Sequence, residues 1–303
     1  MLTGRGTRLA NSAVKLPRRR LRLVPVAAIV ILLASAAPPA NASYYNSLYK
    51  NENGFDTCVA KTQSMLTAWW NGTPWFGIGV YLGGSVGQVL GCYDGSAAVD
   101  RALNTGYGVT LYWYGPQLGS PCNIRSFAHY ISLNTTTAYN QGVAEADAAN
   151  SAAIAAGLPF ATRIFYDMEA YYANSGCRAA AKSFINGWDH ELAFNTAFWG
   201  SAYGSSCASY VSDWATIANV PVAISPADTN PNITSGGLDN GSAFGYPCLS
   251  NGLWTNDQRV GQFSYDTDGT YNGVHFNIDE NCADSYLPNH INAGYSGACS
   301  DVL

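Results

Sequence analysis

Eight short runs of apolar or β-branched residues recur along this chain, and helical stretches separate the early ones. The runs are Gly54–Asp56, Gly77–Leu82, Val109–Tyr114, Ala161–Asp167, Thr196–Gly200, Val220–Ser225, Arg259–Ser264 and Gly273–Asp279. The alanine-rich stretch Thr137–Ala156 predicts a helix; Gly157 suits the left-handed position past its end, and Pro159 prevents continuation. In Ser175–Ala193, residues Ala181, Phe184, Ile185, Trp188 and Leu192 follow the i, i+3, i+4, i+7 spacing of a helix face packed on a sheet. Thr62–Trp70 carries a shorter stripe through Met65, Leu66 and Trp69. Strands alternating with helices imply parallel strands joined by right-handed crossovers, and eight of them close naturally into a barrel. The expected fold is α/β: a single (β/α)8 TIM-like barrel, irregular in places and reinforced by disulfides. The Asn/Gly-rich stretch Asp228–Gly245 reads as an insertion rather than a domain boundary.

The N-terminal segment reads as an export signal. Arg18, Arg19, Arg20 and Arg22 form a basic region, an apolar run follows from Leu23 to Ala37, and Ala40-Asn41-Ala42 has the small-x-small cleavage pattern. The apolar run is shorter than the roughly 20 residues that a membrane-spanning helix needs. The expected division is residues 1–42 as signal peptide and 43–303 as one domain, with no stable membrane insertion once the signal is removed. The signal holds seven of the fifteen basic residues and no acid, which leaves eight basic side chains against twenty acidic ones, a formal charge of −12. A surface of that sign repels phosphate backbones, so nucleic acid is not an expected partner. All eight cysteines lie beyond residue 42, and an even count in an exported chain predicts disulfides and a secreted or cell-wall-associated protein. No C-x-x-C pair or Cys/His cluster has the spacing of a zinc site, and neither metal nor cofactor is expected. The oligomeric state is left open.

The chemistry points to Arg163-Ile-Phe-Tyr-Asp-Met-Glu-Ala-Tyr171. Residues two apart in a strand project to one face, so Asp167 and Glu169 stand together while Met168 turns into apolar packing. They end a strand, where the active sites of α/β barrels are assembled. Asp56 and Asp279 end the first and last proposed strands, which barrel closure would bring side by side. Trp113, Tyr114, Tyr166, Tyr171, Tyr172, Trp199 and Tyr203 fall near proposed strand ends, where aromatic faces can line a cleft. Of these, Tyr171 and Trp199 are candidate substrate contacts, with Gln117 and Gln262 as polar ones. The four histidines, His129, His190, His275 and His290, form no nucleophile-elbow arrangement, and no phosphate-binding glycine loop is present.

Gly54-Phe55-Asp56, Tyr166-Asp167-Met168-Glu169, Gly261-Gln-Phe-Ser-Tyr265 and Asn277-Ile-Asp-Glu-Asn281, in that order, resemble the pattern of family 25 glycoside hydrolases, the lysozyme-type muramidases. They resemble more closely the glycoside-hydrolase-like domain of exported bacterial proteins, which shares that barrel; the likeness runs from about Gly54 to Asp284. It implies that Glu169 is the general acid, that Asp167 orients substrate or assists at the anomeric centre, and that Asp56 and Asp279 complete an acidic floor. Glycoside cleavage needs one protonated carboxyl for the leaving oxygen and one carboxylate for the developing positive charge. Two departures stand out. Val220–Pro231 lacks the tryptophan-rich strand of the lysozyme pattern, and eight cysteines exceed what most such lysozymes carry. The expected activity is that of a secreted, muramidase-like glycosidase acting on peptidoglycan or a related polysaccharide. The alternative is a non-catalytic carbohydrate-binding or cell-surface protein that keeps the barrel. An arginine tied to the carboxylates would point to the second.

Overall fold

The structure, a computed structural model, describes residues 44–58, 61–205, 207–217, 226–229, 243–246, 248–290, 295–297 and 299. In chain order the elements are β1 (Tyr45–Asp56), α1 (Gln63–Gly72), β2 (Gly77–Gly83), α2 (Ser85–Leu90), α3 (Gly95–Thr105), β3 (Gly108–Trp113), β4 (Gln117–Leu118), β5 (Tyr130–Ile131), α4 (Thr135–Ala155), β6 (Arg163–Met168), α5 (Ser175–Asn195), β7 (Trp199–Gly204), a 3-10 turn (Val211–Thr216), β8 (Pro226–Thr229), β9 (Gln258–Tyr271), β10 (Val274–Asn289) and β11 (Tyr295–Ser296). The long helices begin where a polar side chain takes up an amide that has no partner within the helix. Thr137 N donates to Asn134 Oδ1 at 3.0 Å, and Cys177 N to Asn174 Oδ1 at 2.9 Å. Gly157 follows α4 at φ 64°, the left-handed geometry its position predicts.

The strands pair in the order β10–β9–β8–β7–β6–β3–β2–β1–β11, and β10 pairs in addition with β1. The architecture is mixed α/β, one strongly curled sheet with helices against it and four disulfides. Pairings from β1 through β2, β3, β6, β7 and β8 to β9 are parallel, as expected. The pairings β9–β10 and β10–β1 are antiparallel, which breaks the regular β/α repeat. The cause is local. Asn272 and Gly273, at φ 47° and 78°, form a two-residue turn with both residues in the left-handed region, which joins antiparallel strands and leaves no crossover helix. β1 starts well before Gly54, and β7 lies four residues further along than Thr196–Gly200 at its C-terminal end. The expected strand Val220–Ser225 lies outside the described residues, as does most of Asp228–Gly245.

Alternation along the strands divides the core in two. Ile78, Val80, Val109, Leu111, Ile164 and Met168 join Phe184 and Trp188 of α5 in the layer between sheet and helices. Tyr49, Tyr81, Tyr112, Phe165, Val260 and Leu287, drawn from β1, β2, β3, β6, β9 and β10, pack together on the concave face. Helices α4 and α5 approach closely through two glycines: a Cβ on Gly142 would strike the Phe184 carbonyl, and one on Gly187 the Tyr139 carbonyl. Because backbone cannot yield as a flexible side chain does, Gly142→Ala is expected to destabilise the protein by about 1–3 kcal/mol. A lower midpoint in chemical denaturation with an unchanged slope checks this.

The disulfides join Cys58 to Cys92, Cys122 to Cys177, Cys207 to Cys248 and Cys282 to Cys299. The first three anchor segments that follow β1, β4 and β7, so they pin loops at the C-terminal ends of the parallel strands. Among the described residues, no helix is long and apolar enough to cross a membrane.

Candidate active site

At the C-terminal ends of β2, β6 and β7 the sheet opens into a pocket of about 400 Å³. Its lining includes Tyr81, Arg125, Asp167, Glu169, Tyr203, Gln262, Tyr265 and Asp279. β6 delivers the central pair. Asp167 is its penultimate residue and Glu169 the first beyond it, so both reach the pocket, while Met168 between them contributes to the core and is 1% exposed. Gln117 braces this strand end. Its Nε2 donates to the Asp167 carbonyl at 2.7 Å, and its Oε1 accepts from Glu169 N at 2.9 Å. It thereby satisfies backbone groups where the ladder ends. Gln117 is buried and acts on the backbone of the pair from behind rather than lining the pocket.

The first and last long strands meet here as well. Asp56 stands opposite Asp279 in the β1–β10 register. Asp56 Oδ2 accepts from Asn281 Nδ2 at 2.7 Å and from Gln262 Nε2 at 3.4 Å, and Asp279 Oδ1 accepts from Asp266 N at 2.8 Å. Gln262 is held in turn by Tyr203 Oη, which donates to its Oε1 at 2.6 Å. Gly79 leaves the space that the Asp56 and Tyr112 side chains occupy, since a Cβ there would collide with both. Asp56, Asp167, Glu169 and Asp279 thus converge with Gln262 on one site.

Crowding and burial set the charges of this floor. Burial, the Glu169 carboxylate and the Asp56 and Asp279 carboxylates push Asp167 well above the ordinary carboxylate range, with Arg125 partly opposing them. Burial and Asp279 push Asp56 up to about 7, against the hydrogen bonds from Asn281 and Gln262. Burial also raises Asp279, opposed by its hydrogen bond from Asp266. Glu169 has different company. Arg125 Nη2 forms an ion pair with its Oε1, Tyr114 Oη donates to the same oxygen, and Arg125 Nη2 also donates to Tyr114 Oη at 3.0 Å. Two carboxylates side by side therefore sit in contrasting environments, one enclosed among acids and tyrosines, the other ion-paired at the rim.

Besides Gln117, two more expected contacts fall outside the pocket. Tyr171 is only 2% exposed, and its Oη donates to the Ser209 carbonyl at 2.8 Å. It packs beneath the rim instead of facing the pocket. Trp199 opens β7 at the opposite end of the strand, where Arg163 lies 5.0 Å from its ring centroid. The shifted frame of β7 explains this: its C-terminal end carries Tyr203, and Tyr203 lines the pocket. Arg125, Tyr81 and Ser205 were not anticipated. Tyr81 is legible as a strand-end aromatic like Tyr114. Arg125 has no local signal, because it reaches the site on a loop that the Cys122–Cys177 bridge holds against α5. Among the described residues no group of three or more His, Cys, Asp or Glu side chains is placed to hold a metal ion.

Known proteins are similar to this chain in fold, and one family model matches its sequence. An uncharacterised protein of B. stearothermophilus is similar in structure over 78% of this chain and all of its own, at 17% identity and a TM-score of 0.52. The Mycobacterium tuberculosis Tat-secreted protein Rv2525c, solved with L-tartrate, aligns over 77% of this chain and 96% of its own at 14% identity and a TM-score of 0.46. The muramidase of Acremonium alcalophilum aligns over 76% and 92% at 13% identity and a TM-score of 0.42. No curated protein matches the sequence. The model of the Rv2525c-like, glycoside hydrolase-like domain matches residues 67–283, most of the chain and every strand of the pocket from β2 to β9, and this chain therefore belongs to that family.

Proposed function

We propose that the protein is an exported glycoside hydrolase that cleaves a cell-wall or related polysaccharide in the acidic pocket. The observation that carries this is the contrast between Asp167 and Glu169. Asp167, enclosed among carboxylates, keeps its proton to higher pH and can donate it to the leaving glycosidic oxygen. Glu169, fixed by Arg125 and Tyr114, supplies the carboxylate that stabilises the oxocarbenium-like charge or orients the attacking group. These roles reverse the assignment that the family resemblance alone implies, because the proton belongs with the carboxyl that, among the described residues, has no cation at hydrogen-bonding distance. Asp56 and Asp279 sustain the crowding that holds the proton on Asp167. Tyr81, Tyr203, Tyr265 and Gln262 offer ring faces and polar edges to a sugar.

Export is part of the proposal. The basic and apolar segments before Ala42 and the four disulfides support an oxidising, extracellular or cell-wall location, with the mature domain beginning near residue 43. The fold is taken as a variant of the (β/α)8 barrel whose last strands run antiparallel. A second reading is favoured by one contact: the Arg125–Glu169 ion pair also suits a pocket that holds a glycan without cutting it. Release of reducing ends from a panel of wall polysaccharides separates the two. The hydrolase reading expects release by the wild type and a loss of at least about 100-fold in Glu169→Gln; equal binding of a glycan by both proteins with no release by either establishes the binder.

A further inference from the structure

Arg125 is the one cation among the described residues that line the pocket, in a ring that includes Asp167, Glu169 and Asp279. Its setting is built rather than incidental. The Cys122–Cys177 bridge fixes the start of its loop, Tyr172 N donates to the Cys122 carbonyl at 2.8 Å, and Asn123 Nδ2 donates to the carbonyl of Arg125 itself at 3.1 Å. The guanidinium lies 5.2 Å from the ring centroid of Phe127, a face that favours a cation. From there one nitrogen, Nη2, donates to both Tyr114 Oη and Glu169 Oε1, closing a three-membered network with the Tyr114 hydroxyl. The side chain is nevertheless 58% exposed, so it holds the site without supporting the core.

We propose that Arg125 is a positioning residue that fixes the Glu169 carboxylate at the pocket rim and sets the charge balance between Glu169 and Asp167. This rests on the hydrolase reading for its consequence in turnover. Its electrostatic half stands independently of turnover. The groups that face Asp167 are Glu169 on its own segment, Asp56 from β1, Asp279 from β10, Arg125 from the loop after β4, and the phenols of Tyr81, Tyr112, Tyr114, Tyr166 and Tyr203. Arg125 is the positive member of that set, and its charge favours the ionised form of Asp167. Without it Asp167 holds its proton to higher pH. Because Asp167 acts in its protonated form, the alkaline limb of the rate profile then moves upward. Glu169, released from its tether, loses its alignment.

Arg125→Gln and Arg125→Lys test this beside the wild type, as full-length mature proteins with disulfides intact. In the absence of glycan, carboxyl carbon NMR of 13C-Asp-labelled protein follows Asp167, assigned by its absence in Asp167→Asn. With a cleavable glycan, kcat and KM are measured across pH. The expected result is an upward displacement of the Asp167 titration in Arg125→Gln, a fall in kcat of about 10–100-fold with KM nearly unchanged, and substantial recovery in Arg125→Lys. A rise in kcat in Arg125→Gln overturns the proposal in favour of a latch that ligand must displace. An unmoved Asp167 titration overturns it too, whatever the rates do, and reduces Arg125 to a loop contact. If no glycan is cleaved by the wild type, the hydrolase reading fails, and the titration alone still decides whether Arg125 sets the charge balance.

Discussion

Asp167→Asn is expected to lower kcat on a cleavable glycan by about 10²–10⁴-fold and to leave KM nearly unchanged. Asn keeps the size of the side chain and its place at the end of β6, but has no proton to give to the leaving oxygen. Asp167 is buried with other acids close by, and no arginine or lysine is hydrogen-bonded to it among the described residues, so its loss removes a proton rather than an ion pair. The backbone brace from Gln117 binds main-chain atoms and survives the change. Glu169→Gln is equally damaging for a different reason. It removes the charge that faces the developing cation and leaves Arg125 without its carboxylate partner. The two variants therefore differ in pH dependence. The alkaline limb disappears with Asp167 and persists with Glu169→Gln in whatever residual activity remains. Steady-state kinetics between about pH 4 and 9 on one defined oligosaccharide measure this.

The second large effect is on stability. Asp56 is pushed up to about 7 from an ordinary value of 3.8 because it is buried beside Asp279. Below pH 3.8 both folded and unfolded chains carry the proton, and Asp56 contributes nothing to the difference. Between that pH and about 7 the unfolded chain has released the proton while the folded one retains it, so each rise in pH favours unfolding. Above about 7 the penalty is complete and constant. Asp167 and Asp279, raised by the same causes, act in the same direction. The protein is thus expected to be more stable at pH 5 than at pH 8, and Asp56→Asn to be more stable than wild type at pH 8 by about 2–4 kcal/mol. Asn retains an oxygen to accept from Asn281 Nδ2, so the local hydrogen bond survives. Thermal unfolding of both proteins across pH checks the sign. A variant less stable than wild type at pH 8 contradicts the account of the buried acids.

Much of this site was legible because short-range periodicity carries it. The period of two in Tyr166-Asp167-Met168-Glu169 placed both acids in the pocket and Met168 in the core without knowledge of any partner strand. Asp56 and Asp279 met for a long-range reason that was also legible, since closing the sheet brings first and last strands together. Trp199 was misplaced by an error of frame, whereas Tyr171, just past β6, turns inward to donate to the Ser209 carbonyl. A strand drawn over Thr196–Gly200 ends near Trp199, whereas the real strand begins there, and every side chain on it changes end. The antiparallel finish had a signal too. Asn272-Gly273 between two β-rich runs is the strongest short hairpin cue a sequence offers, and it argues against a crossover helix. Arg125 is different in kind. Its role depends on a loop placed by a bridge across 55 residues, and no pattern near residue 125 encodes that. Eight cysteines permit many pairings, so the staples that shape the rim were visible as cysteines but not as geometry.

The most direct test of the central claim is product analysis in 18O-labelled water, with a glycan oligosaccharide that the pocket binds. Mass spectrometry reads whether a glycosidic bond is cleaved with one solvent oxygen incorporated. The account predicts, with wild type, one solvent oxygen per cleavage, carried by the new reducing-end product while the other fragment keeps the glycosidic oxygen, and no cleavage above background with the Asp167→Asn, Glu169→Gln double variant, which still binds the oligosaccharide. Binding by wild type without labelled product, or the same labelled product from the double variant, would contradict it.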